Sequence, residues 1–197
     1  QVGAGNISQG STDNVLHKSQ LTVAMADAVL TGTTCTTAGT YAAADITNLK
    51  VRYSTDATLD AGDATLSTYT NPGTAGAKTF PSFTSQVISS GTTGYIFITA
   101  DIAAAATVGN TISVNALTTS DFTFSLGTKS GSTTVGGTQT FTETPYTVPF
   151  AEGFENAGSW PIGWITYNAG SGNNWAISSA SPQSGIYHMR YTYNFSY

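Results

Sequence analysis

Strict alternation of apolar and polar residues is the feature that most limits the folds open to this chain. The clearest alternation runs through the segment DITNLKVRYS. Successive side chains of a β-strand point to opposite faces, so this segment predicts a strand with one buried and one solvated face. The side chains predicted to point inward are Leu49, Val51 and Tyr53, and those predicted to be solvated are Lys50, Arg52 and Ser54.

Similar segments recur along the chain and are separated by turn signals. The cluster Asn71-Pro72-Gly73 is one such turn, and no amphipathic helix of ten or more residues is evident beyond a single helical turn predicted at 42–45. Seven or eight short strands before residue 142 predict an all-β chain that begins with an immunoglobulin-like β-sandwich. The single Cys35 permits no internal disulfide and is predicted to be a small buried side chain.

The composition changes near residue 142, which predicts a domain boundary. All three glutamates and all three tryptophans lie after that residue, and Pro145 and Pro149 mark the change. We therefore predict an immunoglobulin-like domain at 1–144, a linker at 145–150 and the beginning of a second β-domain at 151–197.

Two parts of the sequence resemble known families. Residues 5–142, with GTYAAADITNLKVRYSTDATL and GYIFITADIAAAATVGNTISVNALTTSDFTF, resemble a repeat domain of large secreted surface proteins of Bacteroidetes. Residues 148–197, with the pattern GFEN…P.GW…GNNW, resemble the start of the cleaved-adhesin or choice-of-anchor J family, related to MAM-type jelly rolls. The resemblance implies an incomplete jelly-roll sandwich, type IX secretion, an extracellular or cell-surface location, and non-enzymatic adhesion or spacing.

Two sets of oxygen-bearing side chains are candidates for holding a structural Ca²⁺ ion. Asp56, Asp60 and Asp63 place three carboxylates within eight positions, although an Asp-rich loop between strands is also ordinary turn chemistry. The cleaved-adhesin resemblance implies a second set: the acidic side chains of Glu152 and Glu155, with Asn174. This chain lacks the aspartates that the family often places before its NNW turn.

The three tryptophans are candidates for binding a ligand, and the histidines argue against catalysis. Trp160, Trp164 and Trp175 predict either an aromatic platform for sugar rings or packing within the second domain. His17 and His188 stand far apart in sequence, and His17 is expected to face solvent. No GxSxG-type turn is present, so the sequence predicts no enzyme.

Charge and hydropathy limit the partners. The formal net charge is −5 and the pI is about 4.6, values that disfavour nucleic acid and anionic membranes, and no apolar run is long enough to span a bilayer. The predicted partner is a protein or a glycan at a cell surface. An alternating apolar run at 187–195 keeps open a second hypothesis, in which copies of the chain form a filament by strand addition. A third is an accessory module of a larger secreted hydrolase.

Overall fold

A computed structural model describes residues 1–145, 152–161, 163–165 and 174–192. The chain divides into two compact units, Gln1–Pro145 and Tyr146–Tyr197. Among these described residues the only helical segments are two short 3₁₀ turns, Ala43–Asp45 and Thr119–Asp121. The predicted all-β fold class is confirmed.

The first unit is a β-sandwich of two sheets. The larger sheet has seven strands: β1 (Gly5–Ser8), β3 (Ala28–Ala38), β6 (Gly76–Thr79), β7 (Gln86–Ile88), β9 (Thr111–Val114), β10 (Phe122–Phe124) and β11 (Gln139–Thr142). The smaller sheet has four: β2 (Asn14–Thr22), β4 (Ile46–Ser54), β5 (Ala64–Thr70) and β8 (Thr93–Ile102). The larger sheet follows the order β1-β11-β9-β3-β10, with β6 and β7 also paired to β3, and the smaller follows β2-β8-β4-β5.

The core lies between these sheets and is built from the alternating apolar side chains of their strands. β8 pairs with β2 on one side and with β4 on the other, both antiparallel, and its side chains are almost continuously buried. Fully buried side chains from the two sheets form one cluster, which includes Leu30, Leu49, Val51, Ile96, Ile98, Ile112, Val114 and Phe141. Cys35 is buried in this cluster, as the sequence predicts, and desolvation raises the pKa of its thiol to about 12.

The predicted solvated face of β4 is only partly solvated. Arg52 and Ser54 are 6% and 3% exposed, because the loop that follows β4 lies against this face. The guanidinium of Arg52 donates hydrogen bonds to the carbonyl oxygens of Asp60 and Asp63, and the ammonium of Lys18 donates to the carbonyl of Ala57. Period-two patterning identifies the two faces of a strand but does not show which loop returns to cover one of them.

The first and last strands of the first unit pair in parallel. β1 and β11 run side by side from Gly5 opposite Gln139 to Ser8 opposite Thr142. Because the two strands point the same way, the chain enters the unit at one end of the pair and leaves it at the other.

The second unit is described by itself and in part. Its strands β12 (Asn174–Ser178) and β13 (His188–Thr192) form an antiparallel pair, in which Trp175 lies opposite Tyr191 and Ile177 opposite Met189. Residues 193–195 of the predicted alternating run, and the predicted linker after Pro145, lie outside the described residues. The jelly-roll assignment stays a prediction.

Candidate functional site

The Asp-rich loop after β4 uses its carboxylates to stabilise its own turns. Asp56 Oδ1 accepts a hydrogen bond from the N–H of Thr58 at 2.8 Å, and Asp63 Oδ2 accepts one from the N–H of Asp60 at 2.7 Å. The nearby carbonyl oxygens of Asp60 and Asp63 already accept from the Arg52 guanidinium, which places a cation where calcium would compete for the same oxygens. The arrangement favours carboxylates that stabilise the turns of this loop over carboxylates that bind a metal ion.

The acidic residues of the second unit also bind backbone N–H groups. The carboxylate of Glu155 accepts from the N–H of Ile186 at 3.0 Å and from that of Tyr187 at 3.2 Å, so it fastens its own loop to the segment just before β13. Glu152 Oε1 accepts from the N–H of Phe154 at 2.6 Å. Asn174 lies at the start of β12 and is exposed. In the part of the chain that the structure describes, no group of three or more His, Cys, Asp or Glu side chains is arranged to hold a metal ion.

Two of the three tryptophans have aromatic neighbours of their own. Trp164 meets Phe154 edge to face, with ring centroids 5.3 Å apart, and Trp175 lies 5.0 Å from its cross-strand partner Tyr191. The carbonyl of Trp160 accepts a hydrogen bond from the Asn156 amide. Trp175 and Tyr191 remain 46% and 45% exposed, which leaves one aromatic pair able to contact a ligand.

His17 is buried, so the expectation that it faces solvent is wrong. A β-bulge between Val15 and His17 interrupts the pairing of β2 with β8, and the consecutive side chains of Leu16 and His17 are both buried. The ring Nε2 lies 3.1 Å from the carbonyl oxygen of Thr134 and 3.0 Å from the hydroxyl of Thr133. Desolvation lowers the pKa of His17, so the ring is neutral and bound within the fold. His188 belongs to β13 in the other unit.

A network of four charged side chains lies on the face of the smaller sheet that points away from the core. Lys50 Nζ is 2.8 Å from Asp101 and 3.1 Å from Asp13, and Arg52 Nη1 is 2.9 Å from Asp13. Burial opposes the charge on Lys50, but its hydrogen bonds to Asp101 and Asp13 raise its pKa above the ordinary value. Burial would likewise raise the pKa of Asp101, but the hydrogen bonds that it accepts lower it. The two positive charges of this network balance its two negative charges. The network is therefore better suited to holding neighbouring segments together than to catalysis.

Asp45 is a buried carboxylate that the sequence interpretation did not single out. Its oxygens accept hydrogen bonds from the N–H groups of Ala42 and Thr107 and from the Asn110 amide, at 2.7 to 2.8 Å. Burial would raise the pKa of Asp45, but these hydrogen bonds outweigh it and lower the pKa. The signal in the sequence is an acidic residue three positions after the start of a helical turn, where its side chain reaches back to the first N–H. Asp121 repeats the device at the other 3₁₀ turn.

A groove of about 690 Å³ lies where the end of β2 approaches β10 and the loop after it. Its apolar lining includes Leu21, Phe122 and Phe124, and its only charged lining residues are Asp27 and Lys129. Serine and threonine hydroxyls are present, but no histidine lines the groove to act as a base for them.

The first and last segments of the first unit are joined by hydrogen bonds that the sequence did not predict. We call residues 2–9 and residues 137–144 together the terminal strand pair. Beyond the four-residue ladder of β1 and β11, further hydrogen bonds join the two segments at both ends. A Cβ at Gly137 would collide with the backbone of Ala4, so the close approach of the two segments requires glycine at that position. Paired glycines at 136–137 are the only local signal for this approach, and they do not name the strand that approaches.

Comparison with known proteins adds no family. No family model matches the chain, and neither a curated protein nor a solved structure shows a significant match. Among the described residues, no helix combines the length and the apolar character needed to cross a bilayer. The resemblances to surface-protein families stay predictions.

Proposed function

We propose that this chain is a non-enzymatic structural and adhesive module of a secreted bacterial surface protein, in which the first unit acts as a spacer. The observation that carries the proposal is the parallel pairing of β1 with β11. A module whose chain enters at one end and leaves at the other adds its own length to a protein built from successive units. A module whose two ends meet on one side adds little length.

The chemistry of the described side chains supports a structural role. Glu155 and Asp63 accept hydrogen bonds from backbone N–H groups, and Asp45 accepts from two such groups and from the Asn110 amide. Lys50 and Asp101 bind each other within the charged network, and Asp101 also accepts from the Asn48 amide. Each of these groups is engaged in holding one segment of the fold to another. The extracellular location is supported by the sequence resemblances alone.

A distance measurement tests the spacer role. Spin labels on cysteines placed at Ala4 and Thr144 are expected about 20 Å apart, because Ala4 lies one position before the pairing of Gly5 with Gln139, and the six intervals from 138 to 144 each extend the pair by ~3.3 Å. The native Cys35 is buried and is expected to stay unlabelled. If the two labelled positions lay at neighbouring strand ends, their backbones would be about 4.8 Å apart, and a label distance within about 10 Å would contradict the proposal.

The adhesive role is favoured by the exposed pair of Trp175 and Tyr191. Aromatic side chains offer flat apolar faces that pack against the C–H faces of sugar rings. In this pair, nearly half of the surface of each residue is exposed to solvent. We expect the full chain to bind immobilised glycans and Trp175→Ala to weaken that binding at least tenfold. Ile186→Ala is the control, since Ile186 is more exposed but has no aromatic face. Equal losses in both variants, or no glycan bound by the unaltered chain, would contradict the adhesive role.

A further inference from the structure

We infer that the terminal strand pair is a mechanical clamp, loaded in shear, that lets the first unit resist tension applied along the chain. This inference rests on the proposed spacer role, because only a module that carries other units in series experiences such tension.

The direction of the two strands determines how force reaches their hydrogen bonds. Tension on the chain before β1 pulls the Gly5 end of the pair one way, and tension on the chain after β11 pulls the Thr142 end the opposite way. Both forces run along the strands. The hydrogen bonds between the strands are therefore strained together, whereas strands pulled apart from one end would lose them one at a time.

The bonds that share this load extend over the whole pair. At one end the N–H of Gly137 donates to the carbonyl of Val2 at 2.9 Å, and at the other the N–H of Gln9 donates to Thr142 at 2.9 Å. Side chains add further ties, since the Gln139 amide donates to the carbonyl of Gly3 at 2.6 Å and the Thr144 hydroxyl donates to that of Gln9 at 2.7 Å.

The core side of the pair is dry, which protects these bonds from competing water. Phe141 of β11 is fully buried, and its Cα partner Ile7 of β1 is buried beside it. β11 is also held on its far side, where the N–H of Phe141 donates to the carbonyl of Asn110. Among the strands that the structure describes, β11 is the only neighbour of β1 in its sheet, so the separation of β1 from β11 is the first step of forced unfolding.

The chain passes to the smaller sheet immediately after the pair, so the pair comes first on the path of tension applied before β1. The N–H of Gly10 donates to the carbonyl of Ala103, next to the end of β8 in the smaller sheet. Tension applied before β1 is therefore carried by the pair together with the hydrogen bonds of the Gln1 amide to the Lys18 carbonyl and of the Gln9 amide to the Ala106 carbonyl. A handle placed at Thr12, which is exposed, would instead leave β1 outside the path of the force.

Single-molecule stretching of the full chain at constant force tests the clamp in two geometries. The first holds the chain at its two ends, and the second holds it at Thr12→Cys and at its C-terminal end. Unfolding of the first unit is recognised by its length, about 500 Å for the 138 residues from Gly5 to Thr142 in the end-to-end geometry. We expect unfolding at least tenfold slower at equal force in the end-to-end geometry.

Two proline variants separate the clamp from general stability. The N–H of Gly5 donates to Thr138, so Gly5→Pro removes one bond of the clamp, and its Cβ would lie 3.0 Å from Oε1 of the Gln139 amide, which belongs to the same clamp. The neighbouring N–H of Asn6 points away from β11, so Asn6→Pro removes no bond of the clamp. Gly5→Pro is expected to speed end-to-end unfolding about fivefold to tenfold, the worth of one backbone hydrogen bond. It should have little effect when the handle is at Thr12, and Asn6→Pro should have little effect in either geometry.

The outcomes distinguish the clamp from the spacer role. Equal unfolding rates in the two geometries, or equal effects of the two prolines, would overturn the clamp even if the spin-label distance were long. A short spin-label distance would refute the spacer role itself, and with it the shear direction on which the clamp depends.

Discussion

The buried hydroxyl of Thr33 provides a sharp test of the sandwich interior. Thr33 lies in β3 and is 3% exposed, yet its Oγ1 has no hydrogen-bond partner among the described residues. Thr37, four positions along the same strand, is 2% exposed, and its Oγ1 lies 2.6 Å from the Tyr41 hydroxyl and donates to the carbonyl of Gly76 at 3.2 Å. The two threonines therefore differ in hydrogen bonding while they share strand and burial.

Replacing each threonine with valine should change stability in opposite directions. An unpaired buried hydroxyl costs about 1–3 kcal/mol and a buried methyl group contributes about 0.8 kcal/mol, so Thr33→Val should raise the free energy of unfolding by about 1–2 kcal/mol. Thr37→Val removes a paired hydroxyl and leaves Tyr41 without that partner, so it should lower the free energy of unfolding by about 1–2 kcal/mol. Valine keeps the β-branched shape, which leaves strand propensity nearly unchanged.

Urea unfolding of the full chain, followed by far-ultraviolet circular dichroism, measures both changes. The slope of the free energy against urea should stay constant, so the shift of the midpoint reports stability directly. A thermal scan should show shifts of about 2–4 °C per kcal/mol in opposite directions. If Thr33→Val destabilised the chain, or if both variants moved the midpoint the same way, the placement of these two hydroxyls would be wrong.

Three further predictions concern ionisable and glycine positions. Asp45→Ala leaves three partly buried donors without this partner and should lower the unfolding free energy by about 2 kcal/mol, against about 1 kcal/mol for Asp121→Ala at the less buried turn, both measured in urea. Because the folded-state pKa of His17 is lowered, the unfolded chain binds the proton more readily, so stability should fall as the pH drops below 6.5. His17→Gln should flatten that slope between pH 7 and 5. Gly185→Ala should displace the Glu155 carboxylate, because a Cβ there would overlap it, and should speed amide exchange at residues 186–187 without affecting the first unit.

The alternating patterns predicted the local elements well, because a half-buried strand imposes its period on its own residues. β4 follows from its apolar period, and the predicted turn at 42–45 appears as the 3₁₀ turn Ala43–Asp45. The bulge beside His17 was not predicted, since it depends on the register of β2 against β8. One inserted residue there reverses the face of every residue beyond it.

The candidate sites were harder to predict, because their geometry joins residues that are distant in sequence. The spacing of the Asp residues in the loop after β4 predicts cation ligands. In the structure the guanidinium of Arg52 binds a backbone carbonyl oxygen of this loop, which the spacing does not show. Trp175 gains its neighbour Tyr191 only through the pairing of β12 with β13. The parallel pairing of β1 with β11 joins the two ends of the first unit, and no local period encodes a contact over more than 130 residues.

The direction and register of the terminal strands can be measured by nuclear Overhauser effects on the labelled full chain. The account predicts contacts of Gly5 with Gln139 and of Ser8 with Thr142, with Ile7 opposite Phe141 between them. Contacts of Gly5 with Thr142 and of Ser8 with Gln139 would show antiparallel strands. That result would place the entry and exit of the chain at the same end and contradict both the spacer and the clamp.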